Sequence, residues 1–241
     1  MSNIEKIIKN SKEEMQPMLH SVYQFNSSFL LSKKQEKLLE KILYAISVVD
    51  RKFFVLNEKE AYNDNALAIG EGQTISQPST VARMLLLAEL KKGDSVLEIG
   101  AGSGWNASLI SFLVYPGNVL SIDRIFSLIE KAKKNLKNLI VSFKTGKLKF
   151  SKLNFSVGNI FNPDEEWKKT YDKIIFTAGI TLEKEQGQEK KVKNIALTLL
   201  KNNGILVCPR TAGPLLIYKK KDEKLKKLET KEEYVFVPLL E

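Results

Sequence analysis

The sequence predicts an α/β fold of the doubly wound type, in which helices cover both faces of a mostly parallel sheet. Three observations indicate it. From Asp94 onward, short apolar runs rich in branched side chains alternate with helical patterns. One of these runs, Val96–Ile99, stops abruptly in a glycine-rich turn. After Pro214 the pattern changes and predicts an antiparallel strand pair that closes the sheet.

The N-terminal part of the chain has a different pattern. Residues 1–31 show weak periodicity and predict a short helix with an irregular segment. Ser32 begins a capping-box pattern, and apolar residues at helical spacing from Leu38 to Val49 predict a long helix after it. We therefore expect an N-terminal extension over 1–31, whose role the sequence does not indicate, and a main domain over 32–241 with an N-terminal helical cap.

In the main domain, the predicted elements follow one another regularly. The predicted strands are Val96–Ile99, Val119–Asp123, Phe155–Val157, Lys173–Phe176 and Ile205–Pro209, closed by Pro214–Tyr218 and Tyr234–Leu239. The predicted helices are Thr80–Leu90, Asn106–Val114, Ile125–Leu136 and Val192–Leu200. Such alternation is typical of a parallel sheet that is buried on both faces.

Composition narrows the class of protein. The 241 residues suffice for one large α/β domain, and no apolar stretch approaches the length of a membrane span. The N-terminus lacks the pattern of a secretory signal.

Cys208 is the only cysteine, so we expect a small buried side chain and a reducing, cytoplasmic location. His20 is the only histidine, and we assign it no catalytic role.

The net charge of +10 raises the question of nucleic-acid binding. Most lysines are scattered along the chain beside glutamates, and the densest group flanks a predicted hairpin turn at Asp222-Glu223. A solvated basic face accounts for this pattern. We therefore do not expect a nucleic-acid partner, although a basic surface attracts acidic polypeptides.

The glycine-rich turn predicts a nucleotide-like ligand. Its Gly100-Ala101-Gly102-Ser103-Gly104 run joins a buried strand to a helix, where glycine lets the backbone approach a ligand closely. The dinucleotide fingerprint has its third glycine one residue later, where this chain has Trp105, so a nicotinamide cofactor is disfavoured. The spacing, with Glu98 near the end of the strand, resembles the first motif of S-adenosylmethionine-dependent methyltransferases. The alternative is a tight turn without a ligand.

Asp123 ends the next predicted strand, about twenty residues after the last glycine. A carboxylate at that place accepts hydrogen bonds from ribose hydroxyls in nucleotide-binding α/β units. The alternative is that Asp123 caps the helix that begins near Ile125. Both roles compete for the same oxygens.

The residues needed for several other reactions are missing. The chain has one cysteine and one histidine, which is too few for the spacing of a Cys/His metal site, and a Ser-His-Asp or Cys-His arrangement would depend on His20 alone. Methyl transfer to an ionised carboxylate needs alignment and exclusion of water but no general base. The composition therefore fits that reaction better than methylation of a neutral hydroxyl.

The segment Ala68–Pro78, before the glycine turn, carries the most specific resemblance. On composition alone it would be a solvent loop whose hydroxyls cap the next helix. Its Ile69-Gly70-Glu71-Gly72-Gln73-Thr74-Ile75-Ser76-Gln77-Pro78 run resembles the signature of the protein-L-isoaspartate O-methyltransferase family. Other segments similar to that family's motifs occur in order between about Lys37 and Leu239, namely Val49–Val55, Ala61–Asp64, Val96–Gly104, Tyr171–Gly179 and Phe236–Leu239.

This resemblance implies a Rossmann-like methyltransferase sheet and S-adenosylmethionine as the cofactor. It implies that Ser76 is the catalytic serine, whose hydroxyl orients the free α-carboxylate of the substrate. The cofactor-binding residues that it implies are Thr74, Ile75, Glu98, Gly100, Ala101, Gly102, Ser103, Asp123, Asn159, Ile160 and Thr177.

Two departures from the family pattern affect these expectations. Asn159 stands where the family usually has aspartate beside the adenine; an amide oxygen still accepts a hydrogen bond, so we expect weaker affinity rather than its loss. The stretch Ile180–Gln186 is more charged than the corresponding family loop, which lies near the substrate entrance. The resemblance therefore does not define which peptides are preferred.

The sequence thus predicts a cytoplasmic, monomeric methyltransferase that modifies L-isoaspartyl residues in damaged proteins or peptides, with no metal and no membrane partner. One alternative is a relative that keeps the cofactor site and methylates a dedicated peptide or another acceptor. The other is a basic RNA-binding protein that retains the fold without turnover.

Overall fold

The structure is a computed structural model, and it describes residues 2–143, 148–181 and 187–240. Its α-helices are α1 (Asn3–Asn10), α2 (Gln16–Ser27), α3 (Lys33–Val48), α4 (Pro78–Leu87), α5 (Trp105–Leu113), α6 (Phe126–Ser142) and α7 (Gln188–Leu199). Its strands are β1 (Leu67–Gly70), β2 (Gln73–Ile75), β3 (Ser95–Ile99), β4 (Asn118–Asp123), β5 (Lys152–Val157), β6 (Tyr171–Phe176), β7 (Leu200–Cys208), β8 (Ala212–Lys221) and β9 (Lys224–Val235).

Seven strands form the main sheet, in the order β5-β4-β3-β6-β7-β8-β9. The pairs from β5 to β7 are parallel, and β8 and β9 are added antiparallel to the sheet edge. The predicted sheet, mostly parallel with an antiparallel C-terminal pair, is confirmed. β1 and β2 form a separate antiparallel hairpin.

Helices cover both faces of this sheet, because successive strand residues point to opposite sides. Val96 and Val119 belong to the larger apolar cluster, which includes buried residues of α1 to α6. Leu97 and Leu120 belong to a second cluster, which contains the buried face of α7. The doubly wound arrangement is therefore confirmed.

The N-terminal residues contain more helix than the sequence predicted. The sequence predicted one short helix and an irregular segment over 1–31, whereas the described residues 2–31 contain α1, a short 3-10 helix at Glu13–Met15, and α2. Ser2 and Glu5 form a capping box at the start of α1, and Ile4 and Ile8 on one face of this helix are buried in the larger cluster. Packing against α3 and α4 supports both helices in addition to such local signals.

The last strand lies earlier than predicted. β9 occupies Lys224–Val235, whereas the sequence placed a strand over Tyr234–Leu239. The long charged stretch of β9 hides its strand character, although charged side chains suit an edge strand. Residues after β9 leave β8 and run beside Gly179, whose N–H donates to the Val237 carbonyl across 2.8 Å.

Several local expectations are confirmed. Ser32 caps α3 by accepting a hydrogen bond from the Gln35 N–H. Cys208 is fully buried in β7. Asp222 and Glu223 form the turn between β8 and β9. Within the lysine group beside this turn, however, Lys220 is buried and donates to the carbonyl of Leu197, so that group is not wholly solvated.

Candidate functional site

The candidate site lies where the order of the strands reverses. β3 pairs with β4 on one side and with β6 on the other, and ligands of doubly wound sheets bind at the carboxyl ends of strands at such a point. Two adjoining pockets open there, and both are lined by Gln73, Gly100, Asp123 and Ala178.

Most of the residues that the sequence analysis selected line these pockets. The first pocket is lined by Thr74, Ile75, Ser76, Gly100, Ala101, Gly102, Ser103, Asp123 and Thr177. The second pocket adds Asn159 and Ile160. Glu98 lines neither of the two.

The glycine turn needs glycine for two reasons. Gly100, Gly102 and Gly104 have φ angles of 101°, 50° and 87°, which side-chain-bearing residues rarely adopt. A Cβ on Gly100 would also lie 2.2 Å from Thr177 Oγ1. That hydroxyl donates to the Gly100 carbonyl across 2.6 Å, so the end of β6 holds the turn in place.

Asp123 makes the local contact that one of the two alternatives predicted, and a second contact, to the glycine turn, that neither predicted. Its Oδ2 accepts from the Gly102 N–H across 2.9 Å, and its Oδ1 accepts from the Ile125 N–H across 3.1 Å. The carboxylate thus supports both the glycine turn and the start of the segment leading into α6. Each carboxylate oxygen has a second lone pair, which leaves acceptor capacity for a hydroxyl in the pocket.

Glu98 lies beneath the glycine turn and is fully buried. Asn106 Nδ2 donates to its Oε1 across 2.7 Å, and Ser121 Oγ donates to its Oε2. Burial raises the pKa of Glu98 to about 8, because it removes the carboxylate from water. Asn106 lines the first pocket, so Glu98 reaches that pocket only through its neighbour.

Asn159 forms part of the turn after β5. Its Oδ1 accepts from the Phe161 N–H across 2.9 Å, which fixes the side chain at the rim of the second pocket. Gly158 before it packs closely on the Trp167 ring, where a Cβ would lie 2.1 Å from a ring carbon. The position of the Asn159 amide is therefore determined by the fold of this turn.

Ser76 follows β2 and lies two residues before α4, at a half-buried position in the first pocket. Within the part of the chain that the structure describes, its hydroxyl makes no hydrogen bond. The hairpin that leads to it is anchored to α6, since Lys131 Nζ donates to the Ile69 carbonyl across 2.7 Å and Ser127 donates to Glu71 across 2.8 Å. A free hydroxyl on an anchored segment is suited to bind an acceptor group.

Comparisons with known proteins point to one family. A family model described as protein-L-isoaspartate(D-aspartate) O-methyltransferase matches residues 25–241. The chain belongs to this family. A protein-L-isoaspartate O-methyltransferase of Ignicoccus hospitalis is 36% identical over 215 residues, which cover 84% of this chain and 90% of the relative. One from Fervidobacterium nodosum is 40% identical over 172 residues, or 70% and 77% of the two chains.

Solved structures agree with the fold of the family. A Plasmodium falciparum chain, described as a β-aspartate methyltransferase (PCMT) in complex with S-adenosyl-L-homocysteine, superposes with a TM-score of 0.72. The identity is 21%, and the superposition covers 95% of this chain and 99% of the other. Another protein-L-isoaspartate O-methyltransferase superposes with a TM-score of 0.67 at 23% identity, over 92% of this chain and 66% of the other. At these identities the likeness concerns the fold.

One residue of this methyltransferase that sequence reasoning missed is Arg51. It is fully buried, and its guanidinium donates to four backbone carbonyls, one of them that of Ser76. Burial lowers its pKa to about 10. Arg51 lies in the segment Val49–Val55 that resembles a family motif, so the signal was present, but nothing in the pattern indicates which backbone the arginine would hold.

Asp64 is the second residue without an assigned role. Its carboxylate accepts from the Ser79 N–H across 2.9 Å, from the Ser79 hydroxyl, and from the Gln77 amide across 3.3 Å. These contacts fix the first turn of α4, directly after Ser76. The sequence offered only the resemblance of Ala61–Asp64 as a signal.

Other expectations concern groups at or beyond the site. The segment Ile180–Gln186, expected near the substrate entrance, lies outside the described residues from 182 onward. In residues 2–143, 148–181 and 187–240, no group of three or more His, Cys, Asp or Glu side chains is placed to hold a metal ion. No helix among those residues has both the length and the apolar character of a membrane span.

Proposed function

We propose that this protein transfers a methyl group from S-adenosylmethionine to the free α-carboxylate of L-isoaspartyl residues in damaged proteins or peptides. The observation that carries this proposal is the placement of the free Ser76 hydroxyl in one pocket with the glycine turn. Family membership over residues 25–241 supports the same reaction.

The described pockets fit the cofactor. Gly100 and Gly102 present backbone without a side chain, while the Asp123 carboxylate and the Asn159 amide offer acceptors for the hydroxyl and amino groups of a nucleoside. We propose that Ala101, Ser103 and Thr177 border its methionine part, with Thr74 and Ile75 beside the acceptor and Ile160 beside the base. S-adenosylmethionine supplies a methyl group on a positively charged sulfur.

Orientation of the acceptor falls to Ser76 in this proposal. Its hydroxyl donates to the α-carboxylate, which has an ordinary pKa of about 3.5 and is ionised at neutral pH. An ionised carboxylate is already a nucleophile, so no side chain has to remove a proton. Arg51 acts as a positioning residue, because it holds the Ser76 carbonyl and thereby the acceptor segment.

Exclusion of water depends on the apolar lining of the first pocket. Ile75, Val81, Met84, Trp105 and Leu128 all line it, and each is at most 5% exposed. A dry pocket removes competing hydrogen bonds from the carboxylate and keeps it in line with the cofactor. Val237, in the segment after β9, contributes to the same lining.

The decisive experiment measures transfer of a tritiated methyl group to a synthetic isoaspartyl peptide, beside the otherwise identical aspartyl peptide. We expect transfer to the isoaspartyl form alone, reduced at least about tenfold in Ser76→Ala because one orienting hydrogen bond is lost. Cofactor binding, measured by calorimetry, should be unchanged in that variant. Cofactor binding without transfer to the isoaspartyl peptide would overturn the proposed acceptor and favour a different one.

We further propose that the protein is a cytoplasmic monomer. The unpaired Cys208 thiol in β7 supports a reducing compartment. Sedimentation equilibrium tests the oligomeric state, with a single species near 27.3 kDa expected. Fractionation of the source cells tests the location.

A further inference from the structure

A basic surface, distant from the candidate site, has no assigned role. Two grooves meet there, one between α3 and the segment 89–92, the other between α1, α3 and α5, and both are lined by Lys41 and Lys92. We call the two together the lysine grooves. The second groove includes Lys6 and Ile7, which precede residue 25, where the family match begins.

The lysine grooves have an excess of unpaired positive charge. Two carboxylates line them, Glu40 and Glu89, and Glu89 is already bonded to Lys219 at 2.6 Å and to Lys34 at 3.5 Å. Of the lining lysines, the following form no ion pair with any described residue: Lys6, Lys33, Lys37, Lys41, Lys91 and Lys92. Charge complementarity therefore calls for a polyanion.

The apolar parts of the grooves favour a polypeptide over a nucleic acid. The first groove contains the aliphatic side chains Leu31, Leu38 and Leu90, and Leu31 is 89% exposed. Three aromatic rings line the second groove, and each already has a partner: Tyr44 packs on Phe112 at 5.9 Å, and Lys149 lies over the Tyr115 ring at 5.8 Å. Bases bind by stacking on free aromatic faces, whereas aliphatic floors accept the side chains of a peptide.

We propose that the lysine grooves dock an acidic segment of the same polypeptide whose isoaspartyl residue enters the candidate site. This inference rests on the proposed function for the identity of the docked chain. The Asp- and Glu-rich segment would pair with the lysines, while its apolar side chains lie along Leu31 and Leu38.

The two sites lie at opposite ends of the same strand. Lys91 and Lys92 precede β3, and Gly100 follows it. The five residues of β3 span about 17 Å at a rise of about 3.3 Å per residue. A spacer of about 15 residues can therefore connect the two sites along the surface, whereas one of about 3 residues, roughly 10 Å when extended, cannot.

The first measurement is fluorescence anisotropy with a labelled Glu/Asp-rich peptide that contains leucine and no isoaspartyl residue. We compare the unaltered protein with Lys33→Glu/Lys37→Glu/Lys41→Glu. We expect affinity to fall at least about tenfold in this variant and to fall with added salt. The matched control is Lys224→Glu/Lys226→Glu/Lys231→Glu on β9, which changes the net charge equally and should retain the affinity.

If the control variant loses as much affinity for the acidic peptide, the docking surface is overturned, because net charge alone would then explain the binding. We call Lys33→Glu/Lys37→Glu/Lys41→Glu the α3 variant. If a single-stranded RNA of equal charge binds more tightly than the acidic peptide, and the α3 variant loses this binding, the polypeptide is overturned as the occupant.

The second measurement compares methyl transfer to isoaspartyl peptides that carry the acidic segment after a spacer of about 15 or about 3 residues. We expect the KM of the long-spacer peptide to be lower than that of the short-spacer peptide, and we expect this difference to disappear in the α3 variant. Equal KM values for both peptides would overturn delivery from the grooves. Failure to methylate a short isoaspartyl peptide would refute the proposed function instead, whereas the anisotropy measurement decides the docking surface separately.

Discussion

Arg51 donates a hydrogen bond from Nη2 to the backbone carbonyl of Ser76 across 3.2 Å. The same guanidinium donates to the carbonyls of Ala61, Asn63 and Asn65, which belong to the segment before the hairpin. One buried cation thus joins the chain on both sides of β1 and β2. Because the Ser76 hydroxyl is the proposed contact for the acceptor, the position of that contact depends on Arg51.

Replacing Arg51 with methionine removes these hydrogen bonds, and it leaves the buried Ala61 carbonyl and three part-buried carbonyls without this donor. We expect the free energy of unfolding to fall by about 3 kcal/mol or more. We also expect the KM for an isoaspartyl peptide to rise more than the Kd for S-adenosylmethionine. Urea denaturation measures the first quantity, and initial-rate kinetics with calorimetry measure the second.

Arg51→Lys separates charge from geometry. Lysine keeps the positive charge but cannot reach all of the carbonyls, so its KM should lie between those of the wild type and the methionine variant. If stability falls in both variants while both KM values stay at the wild-type level, Arg51 supports the fold and does not position the acceptor.

The contact between Gly100 and Thr177 gives a second prediction. In Gly100→Ala the new Cβ would meet Thr177 Oγ1 at 2.2 Å, and the φ of 101° would remain strained. We expect a loss of stability of about 2–4 kcal/mol and a weakened affinity for S-adenosylmethionine. Thermal unfolding and calorimetry measure the two effects.

The double variant Gly100→Ala/Thr177→Ala is the matched test of this contact. It removes the clashing hydroxyl but leaves the φ strain. Gly100→Ala should therefore lower the free energy of unfolding less in the Thr177→Ala background than in the wild type. A double-mutant cycle measures this difference directly. Additive costs would show that backbone strain alone makes Gly100 necessary.

Sequence patterns predicted the fold where local and tertiary preferences coincide. The parallel strands are short, branched and buried on both faces, so β3, β4 and β6 lie within two residues of their predicted bounds. β9 was misplaced because Lys224–Val235 is an edge strand, whose charged side chains follow from exposure rather than pairing. Its pairing with β8 is a long-range interaction that a local pattern does not contain.

The candidate site was predictable to a similar extent. The glycine turn and Asp123 follow from the spacing of one strand-turn-helix unit, whereas the selection of Ser76 required a resemblance to a family. Arg51 and Asp64 could not be assigned roles, because each acts on a backbone at least ten residues away. A single sequence indicates which side chains are polar and does not indicate which carbonyls or N–H groups they reach.

The raised pKa of Glu98 predicts a pH dependence of stability. The folded protein holds this proton more tightly than the unfolded chain, because burial raises the pKa from 4.5 to about 8. The contribution of protonated Glu98 to the free energy of unfolding is therefore complete below about pH 4.5. It falls as the pH rises and stops changing above about pH 8. Deprotonation leaves a buried charge beneath the glycine turn.

Glu98→Gln is the variant that checks this pH dependence. Its amide can still accept from Asn106 and can donate to the Ser121 oxygen, but it does not ionise. We expect the unfolding free energy of the variant, relative to the wild type, to increase between pH 5 and pH 8 by about 1 kcal/mol or more. Urea denaturation at several pH values measures it, and parallel profiles for the two proteins would contradict a raised pKa.

Asn26 links the N-terminal extension to the segment that carries Ser76. The side chain is fully buried, and its Nδ2 donates to the Val22 carbonyl across 3.0 Å and to the Ser79 carbonyl across 3.1 Å. Ser79 in turn donates to Asp64, so α2 and the Asp64 carboxylate both hold the first turn of α4. We infer that α2 is a structural support of the acceptor segment.

Asn26→Ala should therefore lower the free energy of unfolding by about 1–3 kcal/mol, since it leaves the buried Ser79 carbonyl without this donor. The KM for an isoaspartyl peptide should rise, while the Kd for S-adenosylmethionine stays close to the wild-type value because the glycine turn is untouched. Gln24→Ala, on the exposed face of the same helix, is the control and should change neither quantity. A destabilised Asn26 variant with unchanged KM would show that α2 stabilises the core without positioning the acceptor.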